Sequence, residues 1–185
     1  TYQERTKRIS TYMKLEYARI CREKNTTDNP AFYEALIQNY IYKGPIVEWY
    51  IRIKVKMERN YRLFNRLIPT QGQITDIGCG FGPLCYMLHL LSEDRDILGI
   101  DYDEDKIAVA QHGWLRGDRL QFRHGNALEY PLPESDVFIL NDILHYMSYE
   151  HQRSLLLKCA DRLRPQGMMI VRDGNSANTS KHRLT

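Results

Sequence analysis

The chain has 185 residues, of which 43% are hydrophobic and 26% are charged, and its formal net charge is +3. No apolar run approaches the roughly 18 residues that a membrane-spanning helix needs, so we expect one soluble globular unit. The four cysteines form no CxxC pair and no metal-ligand spacing with histidine. Neither a metal site nor a disulfide framework is therefore predicted, and we expect a reducing, cytoplasmic setting.

Charge is distributed unevenly, because the first 65 residues are basic and the remainder is mildly acidic. Such an asymmetry points weakly to an anionic partner. The basic residues alternate with acids and aromatics and form no dense block, which favours solvated helix faces over a nucleic-acid surface. Nucleic acid is therefore not the expected partner.

The N-terminal third predicts a helical cap. Residues 3–24 and 30–42 carry apolar side chains at helical spacing, and the second segment begins with an Asn cap followed by Pro. Residues 45–67 fit both a half-buried strand and one face of a helix. We predict a single helix there, because its stripe is about twice the usual strand length and no turn residue interrupts it.

From Gln73 onward, short apolar runs alternate with amphipathic stretches. The runs QITDI, DILGID, LQFRH, DVFILN and GMMIVRD predict five strands, with helices after the first, second and fourth. This alternation predicts a three-layer α/β fold with a mostly parallel sheet. Residues 1–66 are predicted as the cap and 67–185 as the Rossmann-like core. Ligands in such sheets bind beyond the carboxyl ends of the strands.

A glycine-rich turn, DIGCGFG at residues 76–82, follows the first predicted strand and opens a helix at Pro83. The dinucleotide fingerprint GxGxxG would need glycine at position 83, so nicotinamide and flavin cofactors are disfavoured. Asp101 ends the second strand about twenty residues later, where a carboxylate accepts hydrogen bonds from ribose hydroxyls. Asp103 or Asp105 is expected to cap the next helix.

The glycine turn, Asp101 and the pair Asn126–Ala127 resemble the first three motifs of class I S-adenosylmethionine-dependent methyltransferases, over roughly residues 67–173. The resemblance implies S-adenosylmethionine as cofactor and S-adenosylhomocysteine as product. Asp76 would hold the amino-acid end, the glycines the methionine and ribose portion, and Asn126 would replace the Asp often found near the adenine amine. The implied cofactor-binding residues are Asp76, Ile77, Gly78, Cys79, Gly80, Gly82, Asp101, Tyr102, Asn126, Ala127 and Asn141.

The fourth strand ends in NDILHYM, where this family often presents polar groups beside the transferred methyl. The chain lacks the DPPY or NPPY tetrad of nucleobase amine methylation, the Pro-Cys pair of cytosine carbon-5 methylation, and the radical CxxxCxxC motif. A hydroxyl acceptor would need a base, and His145 or Asp142 is the nearest candidate. His145 could equally pack under the cofactor or bond to backbone, and Asp142 could cap a helix or touch the cofactor. Arg172 and Asp173 could face the acceptor or form an ion pair.

Aromatic residues of the cap are candidates for the acceptor side. Tyr40 and Tyr42 could contact substrate or belong to the core, whereas Trp49 and Tyr50 are expected in the core. Residues 39–61, together with the strand-end motifs, resemble the methyltransferase portion of long bacterial proteins that also carry an MMPL-type transporter and a lysophospholipid acyltransferase. That closer resemblance implies a lipid-like or aryl polyene-related acceptor and a membrane-proximal context.

The predicted activity is methyl transfer from S-adenosylmethionine to a small-molecule or lipid-like acceptor, at an oxygen. The alternatives are a catalytically silent cofactor-binding domain and an RNA methyltransferase that uses the basic N-terminal segment. The chain starts without Met, and nothing after Ser180 predicts the antiparallel hairpin with which the family fold usually ends. We therefore expect a piece of a longer protein.

Overall fold

The computed structural model of the protein describes residues 30–58 and 60–174. Within these ranges three helices precede the sheet, and a 3₁₀ turn at Ile41–Lys43 separates the first two. They are α1 (Pro30–Gln38), α2 (Pro45–Met57) and α3 (Tyr61–Leu67). The helix predicted over residues 30–42 thus ends at Gln38, and the helix predicted over residues 3–24 lies outside the described residues.

The prediction of a single helix over residues 45–67 is wrong in one respect: the segment forms two helices, α2 and α3, with a break between them. Glu58 adopts a non-helical conformation, with φ −84° and ψ 83°. Its side chain is only 4% exposed and pairs with Arg172 at 3.0 Å, and it also accepts a hydrogen bond from the backbone N–H of Asn60 at 3.2 Å. A long-range ion pair, rather than a Gly or Pro, therefore accompanies the break.

Five strands form one parallel sheet in the order β3-β2-β1-β4-β5, which confirms the predicted fold class. The strands are β1 (Gly72–Ile77), β2 (Arg95–Asp101), β3 (Leu120–His124), β4 (Ser135–Asn141) and β5 (Leu163–Arg172). β5 begins before the predicted GMMIVRD run, because Leu163 already pairs with Ser135 ahead of a register shift. The strand order reverses beside β1, and in parallel sheets such a point opens a crevice for a ligand.

Helices cover both faces of the sheet. They are α4 (Pro83–Leu91), α5 (Glu104–Gln111) and α6 (Tyr149–Asp161), and a 3₁₀ turn at Leu144–Tyr146 follows β4. The buried side chains of α1 to α5 share one core, whereas Leu155 and Cys159 of α6 pack in a second core on the opposite face. Within the described ranges no helix is long and apolar enough to cross a membrane.

A buried arginine fastens the helical segment to the sheet. Arg95 at the start of β2 is fully buried, and its guanidinium donates to the carbonyl oxygens of Ile68, Pro69 and Leu88 at 2.8–3.0 Å and to Asn65 Oδ1 at 3.0 Å. Burial lowers the pKa of Arg95 to about 10. The carbonyls lie at the carboxyl ends of α3 and α4, where a cation is favourable. This clamp fixes α3 relative to the strands that carry the site.

Candidate active site

A cavity of about 790 Å³ lies at the carboxyl ends of β1, β2 and β4. Ten of the eleven residues predicted to bind the cofactor line this cavity, and Gly82 is the exception. The helical segment closes one side through Tyr50, Lys54 and Tyr61. The structure therefore brings the strand-end candidates together at one crevice.

The glycine turn needs glycine at specific positions. Gly78 has φ +75°, and a Cβ there would lie 2.1 Å from Cγ2 of Ile143 in the loop after β4. Gly82 also has φ +75°, and its Cβ would lie 2.4 Å from the ring of Phe122. Gly82 therefore serves as the N-cap of α4 and as a close packing point, and Pro83 begins the helix as predicted.

Asp101 ties the glycine turn to β2. Its Oδ2 accepts a hydrogen bond from the Gly80 N–H at 2.7 Å, and its Oδ1 accepts one from the Asp103 N–H at 2.9 Å. Asp103 in turn caps α5 by accepting from the Lys106 N–H at 3.1 Å, which confirms the predicted cap. A carboxylate has about four acceptor positions, so Asp101 retains capacity for ribose hydroxyls.

Asp76 is a buried carboxylate in the cavity wall, with 3% of its surface exposed. Burial raises its pKa to about 7, and the negative charge of Asp101 acts in the same direction. The Cys85 thiol donates to Asp76 Oδ2 at 3.2 Å, and this bond and the charge of Lys54 lower the pKa. A cationic group placed beside Asp76 would favour its ionised form.

A lysine of α6 holds the loop after β3 in place through hydrogen bonds. Lys158 donates to the carbonyl oxygens of Ala127, Leu128 and Tyr130 at 2.7–3.0 Å. Within the loop, Asn126 Oδ1 accepts from the Leu128 N–H at 3.1 Å. The amide oxygen that the sequence predicted for adenine therefore already supports the turn, although a carbonyl oxygen can accept a second hydrogen bond.

His145 lines the cavity in the loop after β4, and a carboxylate orients it. Its Nδ1 lies 2.6 Å from Oδ1 of Asp173, and Asp173 also accepts backbone hydrogen bonds from Leu144 at 2.6 Å and Gly174 at 2.7 Å. Burial acts to raise the pKa of Asp173, but the hydrogen bonds from His145 and the backbone hold it below its usual value. An ionised partner at Nδ1 favours a proton there and leaves Nε2 as the acceptor.

Asp142, the other candidate base predicted from the sequence, contacts two positively charged side chains. It has φ +58° and pairs with Arg172, and its Oδ2 lies 3.6 Å from the ammonium of Lys54. Arg172 also contacts Glu58 and Asn141. The Asp142 carboxylate is therefore engaged by two cationic side chains, whereas the His145 imidazole contacts the carboxylate of Asp173.

Residues 74–167, just over half of the chain, match the methyltransferase domain family. The chain belongs to this family. A probable S-adenosylmethionine-dependent methyltransferase of Mycolicibacterium smegmatis is 33% identical over 116 residues, which are 60% of this chain and 42% of that protein. The tetracenomycin polyketide synthesis 8-O-methyl transferase TcmO of Streptomyces glaucescens is 36% identical over 53% of this chain and 30% of its own length.

Solved structures share the methyltransferase fold. The SAH-bound form of CalO1, a methyltransferase in calicheamicin biosynthesis, superposes with a TM-score of 0.54 at 19% identity, over 92% of this chain and 54% of its own. The present chain thus spans about half or less of the length of these proteins.

In this methyltransferase domain, Tyr40 and Tyr42, two of the predicted substrate contacts, lie outside the cavity lining. Tyr40 is fully buried and its hydroxyl donates to the Phe81 carbonyl at 2.8 Å, whereas the Tyr42 hydroxyl donates to the Val109 carbonyl at 2.5 Å. Tyr40 therefore belongs to the core, the alternative left open by the sequence, whereas Tyr42 is 39% exposed. Arg172, the third candidate, also lies outside the lining and is held by the carboxylates of Asp142 and Glu58.

Two other aromatic residues of the cap, expected in the core, are exposed instead. Tyr50 and Trp49, both expected in the core, are 45% and 65% exposed, and Tyr50 lines the cavity beside Phe81 at a ring-centroid distance of 5.3 Å. Lys54 and Lys158 are not among the candidates predicted from the sequence. Lys158 lies at an ordinary polar position of an amphipathic helix, and no local pattern marks it.

Proposed function

We propose that this methyltransferase domain moves a methyl group from S-adenosylmethionine to a hydroxyl of a small-molecule or lipid-like acceptor, with His145 as general base. The observation that carries the proposal is the Asp173–His145 pair, which opens into the same cavity as the glycine turn.

The cofactor is S-adenosylmethionine, as predicted, and the cavity has the groups that it requires. Gly78 and Gly80 present backbone without side chains, Asp101 lies where ribose hydroxyls are expected, and Asp76 suits an ammonium group. Asn126 and Ala127 line the far end, where the adenine would lie. The bound cofactor supplies a methyl group on a positively charged sulfur, which is already electrophilic.

Little covalent help is then required from the protein, and the main task is to place the acceptor oxygen in line with the methyl. His145 Nε2 would remove the hydroxyl proton as the oxygen–carbon bond forms and the carbon–sulfur bond breaks. Asp173 would hold the imidazole in the correct tautomer and stabilise the imidazolium that forms. Such a base typically contributes about 10²–10⁴-fold to the rate.

The acceptor side of the cavity supports a largely apolar substrate. Tyr50, Phe81, Tyr146 and Met147 line the cavity, and the Tyr146 ring lies 4.0 Å from that of His145. The 8-O-methyl transferase relative supports oxygen as the methylated atom. The finer expectations stay predictions: a lipid-like or aryl acceptor, the division at residues 66 and 67, a cytoplasmic location and the resemblance to MMPL-containing proteins.

The test compares His145→Gln and Asp173→Asn with the unchanged chain, using release of S-adenosylhomocysteine in a panel of phenols and hydroxylated lipids. We expect turnover to fall by about 10²–10⁴-fold in His145→Gln, with S-adenosylhomocysteine affinity changed little. Asp173→Asn should lower turnover less and shift its pH profile. Full activity of His145→Gln would refute the assignment.

Two rival functions would be recognised by different results, the second of them with RNA added to the panel of acceptors. Tight cofactor binding without turnover of any acceptor would favour a silent binding domain. Methylation of RNA, with binding that weakens steeply as salt is added, would favour an RNA methyltransferase.

A further inference from the structure

Lys54 is a positively charged residue of the cavity wall, and the proposed methyl transfer assigns it no role. It belongs to the cap helix α2, and its side chain is 33% exposed. Its nearest carboxylate oxygen, Asp142 Oδ2, lies 3.6 Å away, which is beyond a normal hydrogen bond. Because Arg172 pairs with Asp142 at shorter range, Asp142 does not depend on Lys54 for a counter-charge.

The charges around the cavity divide into two ends. At the ribose end, Lys106 pairs with Asp103 at 3.0 Å, next to Asp101 and Tyr102. At the other end, Lys54 is close enough to Asp76 for its positive charge to favour the ionised carboxylate. Lys54 and Lys106 are the lysines of the cavity lining within the described ranges, and arginine is absent from that lining.

An acid and a base at one end of a cavity suit an amino-acid zwitterion. On the basis of the proposed function, we propose that Lys54 binds the carboxylate of the cofactor's methionine portion, while Asp76 faces its ammonium group. A carboxylate bound there would provide Lys54 with a hydrogen-bonded counter-charge that Asp142 does not supply at 3.6 Å.

This assignment gives the cap a direct part in cofactor binding. The glycine turn and Asp101 come from the sheet, whereas Lys54 comes from the helix that also carries Tyr50 over the acceptor side. Cofactor binding would therefore hold α2 against the strand ends and complete the wall beside which the acceptor must lie.

The experiment measures calorimetric binding of S-adenosylhomocysteine and of its decarboxylated analogue, which keeps the ammonium and lacks only the carboxylate. We expect Lys54→Met to weaken S-adenosylhomocysteine by about tenfold or more and to weaken the analogue much less, since the analogue senses Lys54 only through the charge of Asp76. Lys54→Arg should retain most of the preference for the carboxylate. Lys56→Met, an exposed lysine on the same helix, is the matched control and should change neither affinity.

Each outcome decides one question. Equal losses for both ligands in folded Lys54→Met, or no loss for either, would overturn the assignment of Lys54. If Lys54→Met does not fold, Lys54→Gln takes its place, with the same expected selectivity. Failure of the unchanged chain to bind S-adenosylhomocysteine would instead refute the proposed function.

Discussion

The two walls of the cavity are built in different ways. The sheet wall includes six consecutive residues, 76–81, whose backbone is shaped by glycine at positive φ and by hydrogen bonds to β2. The cap wall consists of side chains spaced along helices α2 and α3, and ion pairs such as Glu58–Arg172 connect it to β5. Local backbone geometry therefore shapes the sheet wall, whereas the cap wall depends on side-chain contacts between residues far apart in sequence.

The largest expected effect tests the backbone of the sheet wall. Gly78→Ala should lower the free energy of unfolding by roughly 3 kcal/mol, since it combines positive-φ strain with a clash against Ile143 Cγ2. Gly80→Ala is the matched control, because its φ is +56° but its nearest neighbour is a flexible lysine carbon at 3.9 Å, so about 1 kcal/mol is expected. Equal losses in chemical denaturation would contradict this account.

The same contrast explains which parts were predictable. The five strands, the turn at residues 76–82, Asp101 and the Asp103 cap follow from patterns within a few residues, and the structure places them as predicted. The break at Glu58 is accompanied by an ion pair with Arg172, which lies 114 positions away in sequence. Lys158 and Arg95 act through backbone carbonyls, which leave no signature in a sequence. Burial of Tyr40 likewise depends on the distant Phe81 carbonyl.

A second prediction concerns the charge of the sheet wall. Because burial raises the pKa of Asp76 to about 7, the affinity for S-adenosylhomocysteine should fall as pH drops below that value, by at most about tenfold per pH unit. The ligand ammonium is best paired when Asp76 is ionised. Calorimetry across this range should show the slope for the unchanged chain and a flat profile for Asp76→Asn.

The free energy of unfolding of the ligand-free protein should depend on pH in the opposite direction: the contribution of Asp76 falls as pH rises. The folded state holds a proton on Asp76 at pH values where the unfolded chain has released it, since the folded pKa is raised. Stability from this group is therefore greatest below the ordinary pKa of 3.8 and is lost as pH rises towards about 7.

For the affinity measurement, a flat pH profile in the unchanged chain would show that Asp76 does not meet the ligand ammonium.

The smallest expected effect lies on the cap, at two neighbouring aromatic residues. Trp49→Ala should change the free energy of unfolding by less than about 0.5 kcal/mol, because the indole is 65% exposed. Tyr50→Ala should cost about 1 kcal/mol, because its ring packs edge-on against Phe81 in the cavity wall.

These two positions differ by one helical step, about 100° around α2, which turns one aromatic ring towards the cavity and the other away from it. Both residues have similar apolar neighbours in sequence, so their order of importance follows only from where Phe81 lies. A loss above about 1 kcal/mol in Trp49→Ala would reverse that order. It would mean that the outer face of α2 is covered in solution, and that the cap is held by more than its contacts with the strand ends.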